Sequence, residues 1–216
     1  MSIWTRYYEF IKCLWGVFML TKCATFLTNK LNNNINFSDE EKDICIYGFE
    51  LLLSNLSTMF IMLIISIIFG NILYVLSFIC VFFVPRLFCG GLHANSHLKC
   101  SIMTNTIFIS TIILSKLFVY MNLESAIVIL STLSLIPIIA LCPVVNANHP
   151  ISKKTYKKNK KISIAISIIN IYVIIISFSV ANFTEIVIFS GVSFIWVSIL
   201  ILIESLKQRR ENNGNN

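Results

Sequence analysis

The sequence predicts an all-α membrane protein, and three observations support that fold class. Hydrophobic residues make up 56% of the 216-residue chain and charged residues only 12%, which is about half the charged share of a soluble domain. Six apolar runs follow one another, most of them close to the ~20 residues that cross a bilayer as a helix. None of these runs alternates with a period of two, which argues against a transmembrane barrel.

The first 37 residues differ in character from the rest of the chain. Residues 3–30 mix aromatic side chains with scattered cations, a pattern typical of a helix that lies in the membrane interface. Charged residues interrupt the apolar pattern and no small-residue cleavage site follows, so a cleavable signal peptide is not expected. Ser38 and Glu41 have the spacing of a capping box, which predicts that a long helix begins there.

The apolar runs predict six transmembrane helices. They cover about 49–69, 72–85, 102–120, 126–144, 162–181 and 186–203. Gly70-Asn71 ends the first run, Pro85-Arg86 ends the second, and Pro137 lies inside the fourth. The second run is short for a span, so tilt or local thinning of the bilayer is expected there.

The distribution of positive charge predicts the orientation of these spans. With both termini in the cytoplasm, the cytoplasmic loops hold residues 86–99 and the six lysines of Lys153–Lys161. Of the 17 basic residues only Lys116 falls in the outer half, as expected when positive charge stays inside. Basic residues at the ends of apolar runs fix orientation, and no nucleic-acid partner is expected.

The chain is therefore expected to form a single membrane domain in the lipid bilayer. This domain has three predicted parts: an interfacial region (1–37), a six-span core (38–206) that includes a cytoplasmic segment (86–101), and a disordered cytoplasmic tail (207–216).

One cytoplasmic segment, from Arg86 to Cys100, concentrates chemically useful groups. It contains two of the three histidines, two of the seven cysteines and an adjacent glycine pair, Gly90-Gly91. The glycines should break the helix and allow a positive φ or a close backbone approach. His93 and Cys100 then offer a general base and a thiol nucleophile. On a continuous helix they would be ~10 Å apart along the axis, so their contact requires the backbone to fold back.

The residues between this histidine and this cysteine add two expectations. Asn95 or Ser96 could cap the start of the third spanning helix. The N–H groups at that helix start would favour the thiolate form of Cys100 and could also hold an oxyanion.

A zinc site is an alternative use of the same segment. Four potential ligands share one face of a continuous helix: Cys89, His93, His97 and Cys100. The glycine pair interrupts that helix, and the glutamate of an HExxH motif is absent. No metal or other cofactor is therefore expected.

The segment resembles the signature of a known family, the accessory gene regulator protein B (AgrB) family of membrane peptidases in Gram-positive peptide quorum sensing. The matching pattern is Arg86-x3-Gly90-Gly91-x-His93-Ala94-x5-Cys100. Two further segments resemble the family: Tyr47-Gly48-Phe49-Glu50, and Cys142-Pro143-Val144 followed by Asn148-His149-Pro150. Val145 is a departure, because many relatives have an acidic residue at that position.

The resemblance implies a reaction, a substrate and a location. His93 and Cys100 would be the catalytic dyad of a cysteine endopeptidase that cuts an AgrD-like propeptide on its C-terminal side and holds the remainder as a thioester. A cysteine or serine of the precursor would then capture the acyl group and release a thiolactone or lactone. The resemblance also implies a multi-pass protein of the bacterial cell membrane, an active site facing the cytoplasm, and a homodimer.

Two further residues and one rival function remain open. Glu50 lies near the predicted inner membrane boundary and could orient His93 or pair with Arg86. Arg86 could instead bind an acidic part of the substrate or anchor the end of its helix. The rival function is a non-enzymatic transporter of a peptide or small solute, which would need polar groups at mid-membrane depth in broken helices.

Overall fold

The computed structural model describes residues 20–32, 37–90, 97–144, 152–179 and 184–214, and every named element among them is a helix. We number these helices α1 (20–32), α2 (Asp39–Ile68), α3 (Leu73–Cys89), α4 (His97–Tyr120), α5 (Glu124–Leu141), α6 (Lys153–Phe178) and α7 (Thr184–Gly214).

Five helices in the described part of the chain are long and apolar enough to cross a membrane: α2, α4, α5, α6 and α7. Helix α3 is apolar but shorter than these five. The prediction of an all-α, multi-pass membrane protein is therefore confirmed. Residues 1–19, which carry most of the predicted interfacial region, lie outside the described residues.

Local signals set the ends of α2. The backbone N–H of Ser38 donates to Glu41 Oε2 at 2.9 Å, and the Glu41 N–H donates back to Ser38 Oγ at 3.3 Å. This reciprocal pair is the predicted capping box, and it satisfies N–H groups that have no partner inside the helix. At the other end Gly70 has a φ of +82°, which glycine adopts without the steric cost other residues meet.

Helix α3 does not end where the second apolar run ends. It continues through Pro85 to Cys89, because residues Ile79–Phe83 are wound as a π-helix immediately before the proline. In this register the donor opposite the Cys80 carbonyl would be residue 85, which has no N–H. The side chain of Asn170 donates to that carbonyl instead, at 3.5 Å.

Prolines and polar residues shape the later helices as well. Helix α5 is interrupted at Ser134, between Glu124–Leu133 and Leu135–Leu141, because the ring of Pro137 excludes the regular bond to the carbonyl of Leu133. Helix α7 extends to Gly214, into the tail that the composition predicted to be disordered. The Gln208 amide donates to Glu204 Oε1 one turn earlier, at 3.3 Å, and this contact supports the extension.

The described chain divides into two compact units. The first contains α1, α2 as far as Ile64 and the beginning of α4 as far as Thr106. Small and hydroxylic side chains are buried in this unit, including Ala24 on α1 and Ser54 on α2. Small residues let membrane helices approach closely, and hydroxyl groups add hydrogen bonds between them.

The second unit contains the remaining helices and is organised around α7. In the most apolar window of α7, 61% of the residues are buried, compared with 17–33% in the other long helices. A cluster of aromatic rings from α3, α4 and α7 fills its core: Tyr74, Phe78, Phe82, Phe108 and Phe189. Gly191 of α7 lets that helix approach α5, since an added Cβ would lie 3.0 Å from Cγ2 of Ile127.

A polar cluster joins α3, α4 and α7 in the same unit. The hydroxyl of Tyr74 donates to the carboxylate of Glu185, and Nζ of Lys116 lies 4.0 Å from the same carboxylate. The Lys116 ammonium also stands 5.4 Å from the centre of the Phe69 ring. The single cation of the predicted outer half therefore has both an anionic and an aromatic neighbour.

Candidate active site around Cys100

Cys100 lies in the first turn of α4, which begins at His97, and its thiol is free and partly exposed. The carbonyl of Cys100 accepts a hydrogen bond from Thr104 Oγ1 at 2.8 Å. Next to it, the hydroxyls of Ser101 and Thr58 are 2.7 Å apart, which ties the start of α4 to α2. The first turn of a helix carries N–H groups without partners in the helix and the positive end of its dipole.

Four of the predicted site residues lie outside the described residues. They are Gly91, His93, Asn95 and Ser96, all within residues 91–96. The predicted contact between His93 and Cys100 therefore stays a prediction. The same holds for the cap at the start of α4.

Gly90 has the conformation that the sequence predicts. Helix α3 ends at Cys89, the Gly90 N–H closes the last turn on the Arg86 carbonyl at 3.1 Å, and φ of Gly90 is +70°. A Cβ at this position would overlap the carbonyl oxygen of Val144. Both properties expected of the glycine pair, a positive φ and a close approach of backbone, are confirmed at Gly90. The continuous helix that the zinc alternative needs is interrupted here.

The close approach joins two segments of chain that are far apart in sequence. Gly90 and Val144 form an isolated parallel bridge, and the Val144 N–H donates to the Cys89 carbonyl at 2.9 Å. Val144 belongs to the Cys142-Pro143-Val144 motif that the sequence singled out only through its resemblance. We call the contacts among Cys89, Gly90, Cys142 and Val144 the α3–α5 joint.

The two cysteines of this joint are both fully buried. The thiols of Cys89 and Cys142 are hydrogen bonded to each other, and the nearby Ser163 hydroxyl of α6 donates to the Lys160 carbonyl at 3.0 Å. This bond to Cys89, followed by burial, raises the pKa of the Cys142 thiol above its ordinary value, with Lys160 opposing the change. Cys142 is therefore held as a neutral thiol.

Sequence reasoning missed this thiol pair. Each cysteine stands beside a helix-breaking residue, Gly90 or Pro143, but nothing local indicates that the two breaks meet. Irregular cysteine spacing by itself carries little information about which cysteines meet.

Glu50 has a partner that the sequence did not suggest. Thr21 of α1 donates to Glu50 Oε1 at 2.5 Å. Glu50 also precedes Thr58 by two helical turns, or ~12 Å along α2, and Thr58 is the residue that meets the start of α4. Glu50 is thus attached to α1, at a different level of α2 from Cys100.

Arg86 lies on the last turn of α3, and its guanidinium stands 5.5 Å from the centre of the Phe82 ring one turn earlier. A guanidinium over an aromatic face is a favourable contact that also fixes the side chain along its own helix. This contact is consistent with anchoring of the helix end, one of the two roles considered from the sequence.

Comparison with known proteins agrees with the motif. The profile of the family Accessory gene regulator B matches residues 24–201. The chain belongs to the AgrB family. Relatives from Clostridium perfringens carry names that describe them as AgrB-like. One from strain 13 and one from strain SM101 are each 26% identical over 165 residues, which is 74% of this chain and 77% of theirs. Another from strain 13 is 38% identical over 95 residues, 44% of this chain and 50% of its own. No solved structure matches the chain significantly.

Membership of the AgrB family places the protein in the accessory gene regulator system of quorum sensing. The family match includes Cys100, the α3–α5 joint and Glu50. The match to the family begins at residue 24, so Thr21, which donates a hydrogen bond to Glu50, lies outside the matched range.

Proposed function

We propose that this AgrB-family protein is a membrane-embedded cysteine endopeptidase that cleaves an AgrD-like propeptide, with Cys100 as nucleophile and His93 as general base. The observation that carries the proposal is the position of Cys100, partly exposed in the first turn of α4 and seven residues after a histidine in the family motif. Family membership supports the substrate class.

In the proposed reaction the Cys100 thiolate attacks the carbonyl carbon of the scissile peptide bond. Backbone N–H groups at the start of α4 stabilise the oxyanion that forms, because they have no partner inside the helix. The C–N bond then breaks, and the amine of the C-terminal fragment leaves with a proton from His93. The rest of the precursor stays bound as a thioester on Cys100.

A thiol or hydroxyl of the precursor completes the proposed reaction. It gives its proton to His93 and attacks the thioester carbonyl; the C–S bond to Cys100 breaks, a thiolactone or lactone ring forms, and Cys100 leaves as the thiolate. A site at the membrane boundary that excludes water would slow hydrolysis and favour the ring.

Supporting roles follow for the neighbouring residues. Gly90 and Gly91 allow the chain to turn back after α3, and Asn95 or Ser96 caps α4. Arg86 and Glu50 lie on α3 and α2, where they would orient the precursor or the helices that hold the dyad.

The proposed topology has six spans and both termini in the cytoplasm. Helix α3 would be the additional span that brings the number from five to six. It is ~26 Å long and the hydrocarbon core is ~30 Å thick, so local thinning of the bilayer would accommodate this short helix. This arrangement puts the Cys100 end of α4 and the lysines of Lys153–Lys161 on the cytoplasmic side of the bacterial cell membrane. A homodimer is part of the same proposal.

The test is co-expression of the protein with its cognate precursor, followed by gel analysis of the precursor. Wild type should cleave, and Cys100→Ala and His93→Ala should each abolish cleavage while reaching the membrane in normal amounts. Cys80→Ala is the matched control, because Cys80 is an exposed thiol outside the proposed site. Normal cleavage by either dyad variant would defeat the assignment.

A further inference from the structure

An asparagine lies in the middle of helix α6, at a depth where lipid offers no hydrogen bonds. Asn170 follows Lys161 by nine residues and precedes Phe178, the end of the helix, by eight. At 1.5 Å per residue it is ~13 Å from the last lysine, close to half the thickness of a ~30 Å hydrocarbon core. A polar side chain at that depth is costly unless it has a partner.

Within the described part of the chain, the Asn170 amide has one hydrogen-bond partner. Its Nδ2 donates to the Cys80 carbonyl of α3 at 3.5 Å, which is long for a hydrogen bond. A side-chain amide has two N–H groups that donate and a carbonyl oxygen that accepts. One N–H and the oxygen are therefore open to a partner from outside these residues, and the side chain is partly exposed.

Asn170 lines a groove between α3, α6 and α7, three helices of the second compact unit. The groove has a volume of about 360 Å³. Asn170, Val173 and Ser177 line it at positions i, i+3 and i+7, so one stripe of α6 faces the groove. On the other two helices the hydroxyls of Ser77 and Ser190 are 2.6 Å apart and satisfy each other. Small side chains such as these let another helix approach closely.

The open amide restricts which molecule fits this groove. A lipid acyl chain fills the volume but has neither a donor nor an acceptor. The backbone of a helix has already bonded its own N–H and C=O groups. A precursor that is cleaved at the cytoplasmic boundary acts at a different depth. A second copy of this chain, related by a two-fold axis along the membrane normal, brings an identical amide to the same depth.

We propose that this groove is a homodimer interface, in which two copies of α6 meet at Asn170 and the two amides hydrogen bond to each other. Each Nδ2 keeps one N–H on the Cys80 carbonyl of its own chain, because Pro85 supplies no backbone donor there. The other N–H goes to Oδ1 of the partner's Asn170. An amide is its own complement, as a two-fold interface requires. This interface rests on the homodimer of the proposed function and is independent of the catalytic dyad.

The test is energy transfer between two populations of the full chain in liposomes, one labelled with a donor dye and the other with an acceptor dye at the C-terminus. The ratio of protein to lipid at half-maximal transfer measures the strength of association. Asn170→Leu removes two hydrogen bonds between the copies and should raise this ratio about tenfold or more.

A second variant probes the groove without changing a buried residue. Val173 is 54% exposed, and Val173→Trp puts a bulky side chain in the path of the second helix. This variant should raise the half-maximal ratio at least about fivefold, because an overpacked contact is unfavourable. Tyr172→Trp is the matched control. Tyr172 is 64% exposed on the same helix but does not line the groove, so this variant should match the wild type.

The possible results separate the interface from the rest of the proposed function. If Asn170→Leu or Val173→Trp associates as tightly as the wild type, the dimer uses another surface and the interface is overturned. If the wild type shows no transfer above that of chance proximity, the homodimer fails as well. If the two variants keep their association but lose affinity for a labelled precursor, the groove binds the precursor instead. Cys100→Ala should show wild-type transfer, so the dyad and the interface fail separately.

Discussion

Replacing Gly90 with alanine should destabilise the protein more than the same change at any other glycine compared below. The structure gives two reasons, both at the α3–α5 joint. The backbone of Gly90, with φ +70° and ψ −146°, lies in a region that only glycine populates readily, and this strain costs an alanine about 1–3 kcal/mol. In addition, the new Cβ would overlap the Val144 carbonyl oxygen.

The size of the effect can be worked out from these contacts. Relief of the overlap requires Val144 to move and weakens its N–H bond to the Cys89 carbonyl, which contributes about 1 kcal/mol. Together with the backbone strain, the expected loss in the free energy of unfolding is about 2–4 kcal/mol. Each 1.4 kcal/mol corresponds to about a tenfold change in the ratio of folded to unfolded protein.

Two other glycines provide graded controls. Gly70 has φ +82° but open space around its missing Cβ, so Gly70→Ala should show the strain without the overlap, about 1–2 kcal/mol. Gly48 is inside α2, where an added Cβ would have nothing within 4 Å, and Gly48→Ala should be neutral or stabilising by up to about 1 kcal/mol.

The assay for all three substitutions is thermal unfolding in detergent micelles. Unfolding is followed with a dye that fluoresces when it reacts with newly exposed thiols, such as those of the buried Cys89 and Cys142. If Gly90→Ala unfolds at the same temperature as Gly70→Ala, the close approach to Val144 does not exist.

Three further substitutions test packing and capping elsewhere in the chain. Gly191→Val should lower the free energy of unfolding by about 1–3 kcal/mol, because its side chain would collide with Ile127 across the α5–α7 contact. Tyr74→Phe removes the donor to Glu185 and should cost about 1 kcal/mol, measured by the same thermal assay. Ser38→Ala removes the cap of α2 and should cost about 1 kcal/mol, visible as faster hydrogen exchange in the first turn of that helix.

Each of these three predictions has a control substitution or a result that would contradict it. Gly48→Val, at a helical glycine with open surroundings, should cost less than Gly191→Val. Tyr120→Phe should be silent, since Tyr120 is 85% exposed. Hydrogen exchange in the first turn of α2 that is unchanged by Ser38→Ala would show that the capping box contributes nothing there.

The features that the sequence predicted correctly depend on neighbouring residues. The capping box at Ser38 and Glu41 needs only a serine and a glutamate three residues apart. The breaks at Gly70 and Gly90 follow from the absence of a side chain at one position. Long apolar helices follow from composition, because lipid offers no hydrogen-bond partners and backbone N–H and C=O groups must therefore bond to each other within a helix.

The features that could not be predicted depend on contacts between distant segments. Pro85 was expected to mark the end of the second apolar run, yet the π-helical turn before it and the amide of Asn170 carry α3 onwards. The pairing of Cys89 with Cys142 and the bond from Thr21 to Glu50 arise only after helices pack. Many side chains could pair with Cys89 or Glu50, and which of them does so depends on how the helices pack, which a single sequence does not reveal.

The candidate site also combines features that the sequence predicted with features that it could not predict. The family motif supplied His93 and Cys100, and Gly90 could be foreseen from the chemistry of glycine alone. The α3–α5 joint around Gly90 could not be foreseen, because Val144, which Gly90 contacts, comes after both α4 and α5 in the sequence.

The covalent intermediate gives the most direct test of the central claim that Cys100 is the nucleophile. The measurement is mass spectrometry of the protein after reaction with a precursor whose own ring-forming cysteine or serine is replaced by alanine. The account predicts the N-terminal part of the precursor attached to Cys100 as an adduct that hydroxylamine removes. Cleavage without any adduct, or an adduct on another of the seven cysteines, would contradict it.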